Sequence, residues 1–325
     1  MRALFFNENG IDNLKYGELP EPSLTEGEVL IRVVKAGVTQ LDYMTVSSMK
    51  VSPLPHVPGS EFAGIVEEVK GKASVNPGDK VAVYTRTFDG TCSFCREGKE
   101  MLCTSGKRIG IDENGGYAEY VKVPSNLVVK ADLHWDLMAS LSISALAPYH
   151  ALKEARVGKG ATVVVFGASG STGIFATQLA EIMGATVVAV TDHDFKISRH
   201  TVSYSQAEDY VRALTDGEMA DVVVNPLGAK YWDLGVRLLR KSGRMVFFGT
   251  LTGSKVTLDL SSAYLSHVSF IGTFRGSFQE FKELAELCRK CKPYTWREFS
   301  LEEGKDALLA LKSPERKGRI MLKVT

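Results

Sequence analysis

Three of the five cysteines in this chain stand close together in the segment FDGTCSFCREGKEMLC, residues 88–103. A disulfide takes two thiols and a tetrahedral metal site usually takes four ligands, so three cysteines alone satisfy neither arrangement. The first residues, MRALFFNENG, lack the apolar core of a secretory signal, and we therefore expect a cytoplasmic, reducing location. There, clustered cysteines favour metal or redox chemistry. The other two cysteines, in CRKC at 288–291, lie in a helical run where nothing places a partner near them.

A second chemical signal is the stretch TVVVFGASGSTGIFATQLAEIMGATVVAV, which starts at Thr162. An apolar strand pattern leads into glycines spaced G-x-x-G-x-x-G, and a helical pattern and a second apolar strand follow. Glycine permits a tight turn and close approach of the backbone to a pyrophosphate, and the helix start offers amide donors to the phosphates. In this context the stretch predicts dinucleotide binding rather than a merely structural turn. The predicted cofactor-binding residues of the loop are Gly167, Ser169, Gly170, Ser171, Thr172 and Gly173.

The residue that ends the second strand usually selects the cofactor. A carboxylate there holds the ribose hydroxyls of NAD, whereas a small residue with nearby cations accepts the 2′-phosphate of NADP. Here Thr191 ends the strand, and Lys196 and Arg199 follow, which favours NADP. NAD is the alternative, because Asp192 would take the carboxylate position if the register slips by one residue. Both cations could also be ordinary solvated surface residues.

The elements that must position these residues follow two different sequence patterns along the chain. Residues 1–125 consist of short apolar or alternating runs such as EVLIRVVKAGV and EFAGIVEEV, broken by Gly and Pro, which predict a β-rich domain. From about residue 136, longer helical periods alternate with strands that are nearly all apolar. Such strands are buried on both faces, as in a parallel sheet covered by helices. These strands are TVVVF (162–166), TVVAV (186–190), DVVVN (221–225) and RMVFFG (244–249).

Length and charge limit the functions that this chain can serve. Its 325 residues suffice for about two domains. A formal net charge of +1, with the two signs interspersed, argues against a nucleic-acid partner. No apolar run is long enough to predict a membrane span, so we expect no membrane partner. The predicted dinucleotide site favours a small-molecule substrate.

Several segments together resemble the medium-chain dehydrogenase/reductase superfamily, which includes the zinc alcohol dehydrogenases and the quinone oxidoreductases. The resemblance covers essentially the whole chain, and its segments are EVLIRVVKAGV, PGSEFAGIVEEV, NPGDKVAVY, GGYAEYVKVP, GASGSTG, RMVFFG and KGRIMLKV. It implies a GroES-like catalytic domain at 1–143 and 273–325, with a Rossmann domain at 144–272 inserted between. The implied fold class is α/β, a doubly wound parallel sheet within a β-rich catalytic domain, and the implied assembly is a homodimer or homotetramer.

The resemblance also interprets the cysteines. Zinc-bearing members hold a structural zinc in a lobe, here 88–104, through cysteines spaced C-x2-C-x2-C-x7-C. This chain has aspartate at the first place, and a carboxylate oxygen can replace a thiolate because Zn²⁺ imposes no electronic preference. One structural zinc is therefore implied, with a metal-free lobe as the alternative. The implied ligands are Asp89, Cys92, Cys95 and Cys103.

A catalytic zinc is not expected. The positions that bear its ligands in the family hold Thr39, Ser60 and Ile143 here, and only an accompanying glutamate, Glu61, remains. Without a Lewis acid, the substrate should spread the negative charge that hydride addition creates, as quinones and α,β-unsaturated carbonyl compounds do. The candidate catalytic hydroxyls are Thr39, Tyr43 and Ser60, although a packing role for Tyr43 is an open alternative.

Further cofactor contacts are carried over from the family. Two tripeptides that end the last strands are expected to contact the nicotinamide, and one arginine near the carboxyl terminus is expected to contact the pyrophosphate. The stretch from Thr191 to Tyr204 is several residues shorter than the usual helix of the family, so part of the adenosine pocket is expected to differ. The carried-over residues are Phe248, Gly249, Thr250, Gly272, Thr273, Phe274 and Arg319.

These observations predict an NADP-preferring reductase of the quinone-oxidoreductase type, with one structural zinc and no catalytic zinc. Three alternatives stay open. The first is a reductase of the double bond in an enoyl thioester or alkenal, and the second is an alcohol dehydrogenase of the zinc type. The third is a nucleotide-binding protein without turnover.

Overall fold

The computed structural model describes residues 1–325 and divides the chain into two compact units. The first unit is Met1–Leu146 with Gly276–Thr325, and the second is Ala147–Arg275. The boundaries between the units thus fall at 146/147 and 275/276, whereas the sequence predicted domain boundaries at 143/144 and 272/273. No helix has the length and apolar character that crossing a bilayer requires.

The strands, in chain order, are β1 (Arg2–Phe5), β2 (Lys15–Glu18), β3 (Glu28–Val38), β4 (Phe62–Lys70), β5 (Lys80–Val83), β6 (Tyr120–Pro124), β7 (Val128–Lys130), β8 (Thr162–Phe166), β9 (Thr186–Val190), β10 (His200–Val202), β11 (Ala220–Asn225), β12 (Leu239–Phe247), β13 (Ser269–Gly272), β14 (Thr295–Ser300) and β15 (Arg319–Lys323). The α-helices are α1 (Gln40–Ser47), α2 (Ser93–Arg96), α3 (Trp135–Met138), α4 (Leu146–Glu154), α5 (Ser171–Ile182), α6 (Ala207–Leu214), α7 (Trp232–Leu238), α8 (Leu260–Leu265), α9 (Phe278–Leu287) and α10 (Gly304–Ala310).

The first unit is built around β3, the longest strand, whose inward side chains are fully buried. It pairs antiparallel with β4, β6 and β15 in a seven-stranded sheet. Six strands follow the order β14-β15-β3-β4-β5-β7, and the seventh, β6, pairs with β3 outside that order. The register places Met321 opposite Gly37 and Phe62 opposite Ala36. The end of β3 therefore meets the beginnings of β4 and β15, and residues far apart in sequence come together at this point.

The second unit is a parallel six-stranded sheet of order β10-β9-β8-β11-β12-β13. Its apolar strands are buried as predicted, and Val164, Val188 and Val223 are fully covered in one of its cores. The strand order reverses between β8 and β11, and in such sheets ligands bind at the carboxyl ends of the strands beside the reversal. The predicted doubly wound fold within a β-rich catalytic domain is confirmed.

The connection between β9 and β10 contains no helix. Parallel neighbours are usually joined by a crossover of a dozen or more residues that includes a helix, but here residues 191–199 form only bends. Ile197 is buried, and the Ser198 hydroxyl bonds the Val187 carbonyl and the Glu181 carboxylate, at 3.1 and 2.6 Å. The short segment thus covers part of the sheet itself, and it passes close to the carboxyl end of β9.

The two cysteines outside the lobe do not lie as the sequence suggested. Cys288 begins a 3₁₀ turn after α9, Cys291 follows that turn, and both are buried. Each has the other as its partner: the thiol–thiol hydrogen bond, together with burial, raises the pKa of Cys288 well above its ordinary value, and the same bond lowers the pKa of Cys291. The sequence placed no partner near either thiol, whereas the structure pairs the two with each other.

Candidate functional site

The lobe that carries the clustered cysteines brings its four predicted ligands together. One ligand atom from each of Asp89, Cys92, Cys95 and Cys103 lies within 4.8 Å of all the others. A left-handed turn at Gly90, with φ 71°, reverses the chain, and α2 begins directly after Cys92. No other group of three or more His, Cys, Asp or Glu side chains in residues 1–325 is gathered in this way.

Hydrogen bonds within this lobe favour the ionised forms of two ligands. The Ser105 hydroxyl and the backbone N–H groups of Cys92 and Thr91 hold the pKa of Asp89 well below its usual range. Burial alone would raise the pKa of Cys103, but the Asp89 backbone N–H stabilises its thiolate and brings that pKa to about 7. In the metal-free lobe, burial raises the pKa of Cys95 to about 12, so that thiol must lose its proton when a metal binds. Three thiols and one carboxylate are nevertheless a donor set that fits a structural Zn²⁺.

A second polar cluster surrounds the start of α1. Thr39 caps the helix: its hydroxyl donates to Asp42 Oδ2 at 2.6 Å and accepts the Asp42 backbone N–H at 3.3 Å. The other carboxylate oxygen of Asp42 accepts the Ser60 backbone N–H at 2.8 Å. We call Thr39, Asp42 and Ser60 the Asp42 network. The structure therefore brings two of the predicted catalytic residues together, and Asp42 positions both.

Beside this network, Glu61 and Arg319 form a buried ion pair, with side chains 1% and 2% exposed. The Glu61 carboxylate also accepts the Ser144 hydroxyl and backbone N–H, both at 2.9 Å. Arg319 Nε donates to Ser140 Oγ at 3.1 Å, and its Nη1 donates to Ser144 Oγ. A side chain at Gly37 would clash with both partners of the pair, so only glycine fits at this point of β3.

This arrangement does not fit a catalytic zinc. Thr39, Ser60 and Ile143 supply no thiolate or imidazole, and the Ile143 backbone N–H itself points at Glu61, at 3.3 Å. Glu61 is the one carboxylate among these positions, and its charge is already compensated by Arg319. Arg319 has a partner for each of its three nitrogens. The predicted pyrophosphate contact of Arg319 stays a prediction, and it would require an exchange of these partners.

Ser60 carries the one uncommitted hydroxyl of the Asp42 network. Its Oγ is fully buried and has no hydrogen-bond partner, which is costly for a polar atom. Nearby, Thr85 Oγ1 donates to the Ser60 carbonyl at 2.7 Å, and the Thr85 N–H donates to Ser142 Oγ at 2.8 Å. The sequence analysis missed Thr85 and Ser142. The sequence features that could have identified them are a hydroxyl residue shortly after a buried strand, Thr85, and a hydroxyl residue next to Ile143, Ser142.

Tyr43 lies on α1 but takes no part in the Asp42 network. Lys312 Nζ donates to its hydroxyl and lies 4.2 Å from the centre of its ring. This contact is at the exposed side of the helix. The geometry favours the packing role for Tyr43, which the sequence had left open, and a catalytic role for it stays a prediction.

In the second unit, the glycine-rich loop joins β8 to α5 as predicted. Gly167 has φ 65°, and a Cβ atom on Gly173 would clash with the Gly167 carbonyl, so both positions require glycine. No side chain caps α5 at Gly170. The amide groups of this helix start suit the phosphates of a dinucleotide.

Tyr204, two residues after β10, bonds the same loop and was missed in the sequence. Its hydroxyl accepts the Gly167 N–H at 2.8 Å, and its ring stacks on Tyr231 with centroids 4.0 Å apart. Burial raises the pKa of Tyr204, so its hydroxyl stays protonated at neutral pH. The Tyr204 backbone N–H donates to Asp192 Oδ1 at 3.2 Å. The loop conformation is thus fixed by a residue 37 positions later in the chain.

The carboxyl end of β9 carries a chain of three side chains. Ser169 Oγ lies 2.9 Å from Thr191 Oγ1 and 2.9 Å from His193 Nδ1. Ser169 and Thr191 are nearly buried, and His193 is exposed. Lys196 and Arg199 are exposed and have no ion-pair partner in the structure. Of the predicted cofactor residues at this strand end, Ser169 and Thr191 are therefore brought together.

The two predicted nicotinamide tripeptides follow neighbouring strands. Residues 248–250 follow β12 and residues 272–274 end and follow β13, and the Thr273 N–H donates to the Phe247 carbonyl at 3.0 Å. Thr273 Oγ1 is buried without a partner. Because β8, β12 and β13 are parallel, both tripeptides lie at the same edge of the sheet as the glycine-rich loop. Their contact with a nicotinamide stays a prediction.

Comparison with known proteins supports the fold described above. The alcohol dehydrogenase GroES-like domain family matches residues 25–133, and the zinc-binding dehydrogenase family matches residues 171–290. The chain is 32% identical to an NAD-dependent alcohol dehydrogenase of Sulfolobus acidocaldarius, over 100% of both chains. It is 29% identical to an acryloyl-coenzyme A reductase of Metallosphaera sedula, over 94% of this chain and 95% of that protein.

Among solved structures, a cobalt- and zinc-bound thermostable alcohol dehydrogenase of Pyrobaculum aerophilum superposes with a TM-score of 0.93. That protein is 36% identical, and the match covers 100% of this chain and 99% of the other. The chain belongs to the medium-chain dehydrogenase/reductase superfamily and is an oxidoreductase with a GroES-like domain and a Rossmann domain.

Proposed function

We propose that this oxidoreductase reduces a carbon–carbon double bond conjugated to a carbonyl group, in an enoyl thioester or an alkenal, without a catalytic zinc. The observation that carries the proposal is the state of Glu61. Its carboxylate is neutralised by Arg319 inside the protein, while Thr39, Ser60 and Ile143 offer no metal donor.

The chemistry follows from where negative charge develops. Hydride addition to an isolated ketone leaves the charge on one alkoxide oxygen, which a Lewis acid would stabilise. Hydride addition to the β-carbon of an enoyl group spreads the charge over an enolate, and a proton at the α-carbon completes the reduction. One or a few hydrogen-bond donors at the carbonyl oxygen can then suffice. A bound nicotinamide supplies the hydride.

Within the chain, Ser60 is the best candidate donor to that carbonyl oxygen. Thr39 has its hydroxyl proton committed to Asp42, whereas the Ser60 hydroxyl has no acceptor. The Ser60 backbone N–H donates to the Asp42 carboxylate, and this bond fixes the backbone that carries the Ser60 hydroxyl. A fixed donor in a water-poor site acts more strongly on developing charge than a solvated one.

For the cofactor, we propose a preference for NADPH over NADH. Thr191 replaces the carboxylate that would hold the ribose hydroxyls, and Asp192 accepts a hydrogen bond from Tyr204. Lys196 and Arg199 supply positive charge for a 2′-phosphate. The opposite preference has support from relatives, since the Sulfolobus protein is named as NAD-dependent.

Relatives also bear on the substrate. The acryloyl-coenzyme A reductase supports double-bond reduction, whereas the two alcohol dehydrogenases support alcohol oxidation as the second candidate. Quinone reduction, the first interpretation from the sequence, has no support from any of the three. Because the charge argument above favours a conjugated substrate, and one relative reduces such a substrate, we prefer the enoyl substrate. Quinones stay in the assay as a comparison.

A matched substrate panel tests this proposal. We would measure NADPH and NADH oxidation with crotonyl-coenzyme A, 2-cyclohexenone, cyclohexanone and benzoquinone, and cofactor reduction with cyclohexanol. Turnover of the two enoyl compounds to saturated products, with little turnover of cyclohexanone, is the expected result. 2-Cyclohexenone and cyclohexanone differ only in the double bond conjugated to the carbonyl group, so equal rates of cofactor oxidation with the two would defeat the charge argument. Chelator-sensitive oxidation of cyclohexanol would favour a zinc alcohol dehydrogenase.

We also propose that the chain forms a homodimer or homotetramer. The strand β13 is at the edge of its sheet, and the neighbouring α8 exposes Leu260, Tyr264 and Leu265, with exposed fractions of 71%, 67% and 68%. An open strand edge beside apolar side chains usually needs a cover. Light scattering should give at least two chains per particle, and a Leu265→Glu variant should shift the mass towards one chain. A monomeric wild type would contradict the proposal.

A further inference from the structure

The side-chain network at the end of β9 has only one proton arrangement that satisfies all of its members. The His193 backbone N–H donates to Thr191 Oγ1 at 3.2 Å, and Ser169 Oγ lies between Thr191 Oγ1 and His193 Nδ1. Each hydroxyl has one proton to donate. If Thr191 donates to Ser169 and Ser169 donates to His193 Nδ1, every hydroxyl proton has an acceptor.

The reverse arrangement leaves a proton unsatisfied. If His193 Nδ1–H donated to Ser169, Ser169 would donate to Thr191, and the Thr191 proton would have no acceptor. Thr191 is 6% exposed, so water does not replace that acceptor, and an unmade hydrogen bond in such a place is costly. The chain of hydroxyls therefore fixes His193 as the tautomer with its proton on Nε2. That nitrogen has no partner within the chain, and the imidazole is exposed.

The Nε2–H donor of His193 lies near the carboxyl end of β9, where a bound cofactor would be in reach. Ser169 belongs to the glycine-rich loop, and Thr191 immediately follows β9, the second strand of the dinucleotide-binding unit. In such folds the adenosine ribose lies at the end of this strand. Because residues 191–199 contain no helix, His193 stays within three residues of the strand end at Val190 and is held against the loop by Ser169.

We infer that His193 is a specificity-determining residue that donates from Nε2–H to the 2′-phosphate of the adenosine ribose. The inference rests on the proposed dinucleotide function and refines it. Thr191 and Ser169 then act through His193, since their hydroxyls are used to orient its ring. Lys196 and Arg199 add charge, while His193 supplies a directed hydrogen bond to one oxygen.

Calorimetric titration of the full chain tests this, because binding is read without turnover. The variants are His193→Ala, which removes the donor, and His193→Gln, which keeps an N–H donor at a similar reach. His200→Ala is the matched control, since that ring bonds only Tyr210. The ligands are NADPH, NADH, adenosine 2′,5′-bisphosphate and AMP, and the last two differ only in the 2′-phosphate.

We expect His193→Ala to raise the Kd for NADPH and for the bisphosphate by about tenfold, the effect of one lost hydrogen bond to a charged group. The Kd values for NADH and AMP should change little, and His193→Gln and His200→Ala should bind like the wild type. A wild type that binds NADPH while His193→Ala binds both cofactors unchanged would overturn this inference alone. Equal losses for NADPH and NADH, or a wild-type preference for NADH, would also overturn it. A wild type that binds no dinucleotide would defeat the proposed function as well.

Discussion

The cysteine lobe and the Glu61–Arg319 pair lie in the same unit, and each gathers ionisable side chains around one point. In the lobe, three thiols and the Asp89 carboxylate face one another, and Asp89 has no ion-pair partner. Around Glu61, the carboxylate is neutralised by an arginine, and the positions that bear zinc ligands in the family, Thr39, Ser60 and Ile143, hold hydroxyl and alkyl groups. From this difference we expect that a carboxylate alone does not make a metal site, and that uncompensated donors of the right kind decide where metal binds.

The largest effect should follow from removing a thiol of the lobe. Cys95→Ser should lose the zinc, and with it a binding free energy that for structural zinc sites is about 10 kcal/mol or more at neutral pH. Thermal unfolding should therefore begin at a markedly lower temperature, while surviving folded protein keeps most of its turnover. The control is Cys291→Ser, which changes a buried thiol outside the lobe. Equal destabilisation by both variants would mean that packing, rather than metal, stabilises the lobe.

A smaller but still large effect is expected from breaking the ion pair. Arg319→Met leaves Glu61 buried and uncompensated, which should lower the free energy of unfolding by about 3–5 kcal/mol. Denaturation in urea, followed by circular dichroism, measures this loss. The double variant Arg319→Met, Glu61→Gln removes the stranded charge and should recover much of the loss.

Arg319→Met also sharpens the comparison of the two regions, because it frees the Glu61 carboxylate. The zinc content should nevertheless stay unchanged, since Thr39, Ser60 and Ile143 add no donor. An additional zinc in this variant would mean that the arginine, and not the missing donors, keeps metal away from this region.

Ser60→Ala should separate catalysis from stability. The Ser60 hydroxyl has no partner in the fold, so its removal should leave the free energy of unfolding unchanged or slightly higher. If the hydroxyl faces the developing enolate, the rate of crotonyl-coenzyme A reduction should fall by about 10²–10³-fold. Steady-state rates and urea midpoints for the same preparation test both halves. An unchanged rate would show that the substrate does not reach this buried hydroxyl.

Thr39→Val should have the smallest effect of the series and the opposite character. It removes the helix cap, which should cost about 0.5–2 kcal/mol of stability, and it should lower the rate much less than Ser60→Ala does. The same two measurements apply. A large loss of rate without a loss of stability would move the catalytic role from Ser60 to Thr39.

The sequence could predict those features whose residues are close together in the chain. Apolar runs identified β8 and β9, and the glycine spacing identified the turn into α5. The resemblance to zinc-bearing family members, carried by the spacing from Asp89 to Cys103, implied a cluster whose ligand atoms do meet. The pairing of Glu61 with Arg319 joins residues 258 positions apart, and it depends on the register of β15 against β3. The contacts of Tyr204 and His193 depend likewise on where strand ends meet. No local pattern contains that information.

The number of zinc ions per chain tests the central claim most directly. Elemental analysis of the purified, folded wild type, after dialysis against metal-free buffer, should give about one zinc per chain, because only the lobe offers a complete donor set. The Cys95→Ser variant, prepared in the same way, should give none. Two zinc ions per chain in the wild type, or one that remains in Cys95→Ser, would contradict the account and restore a metal to the region of Thr39, Ser60 and Glu61.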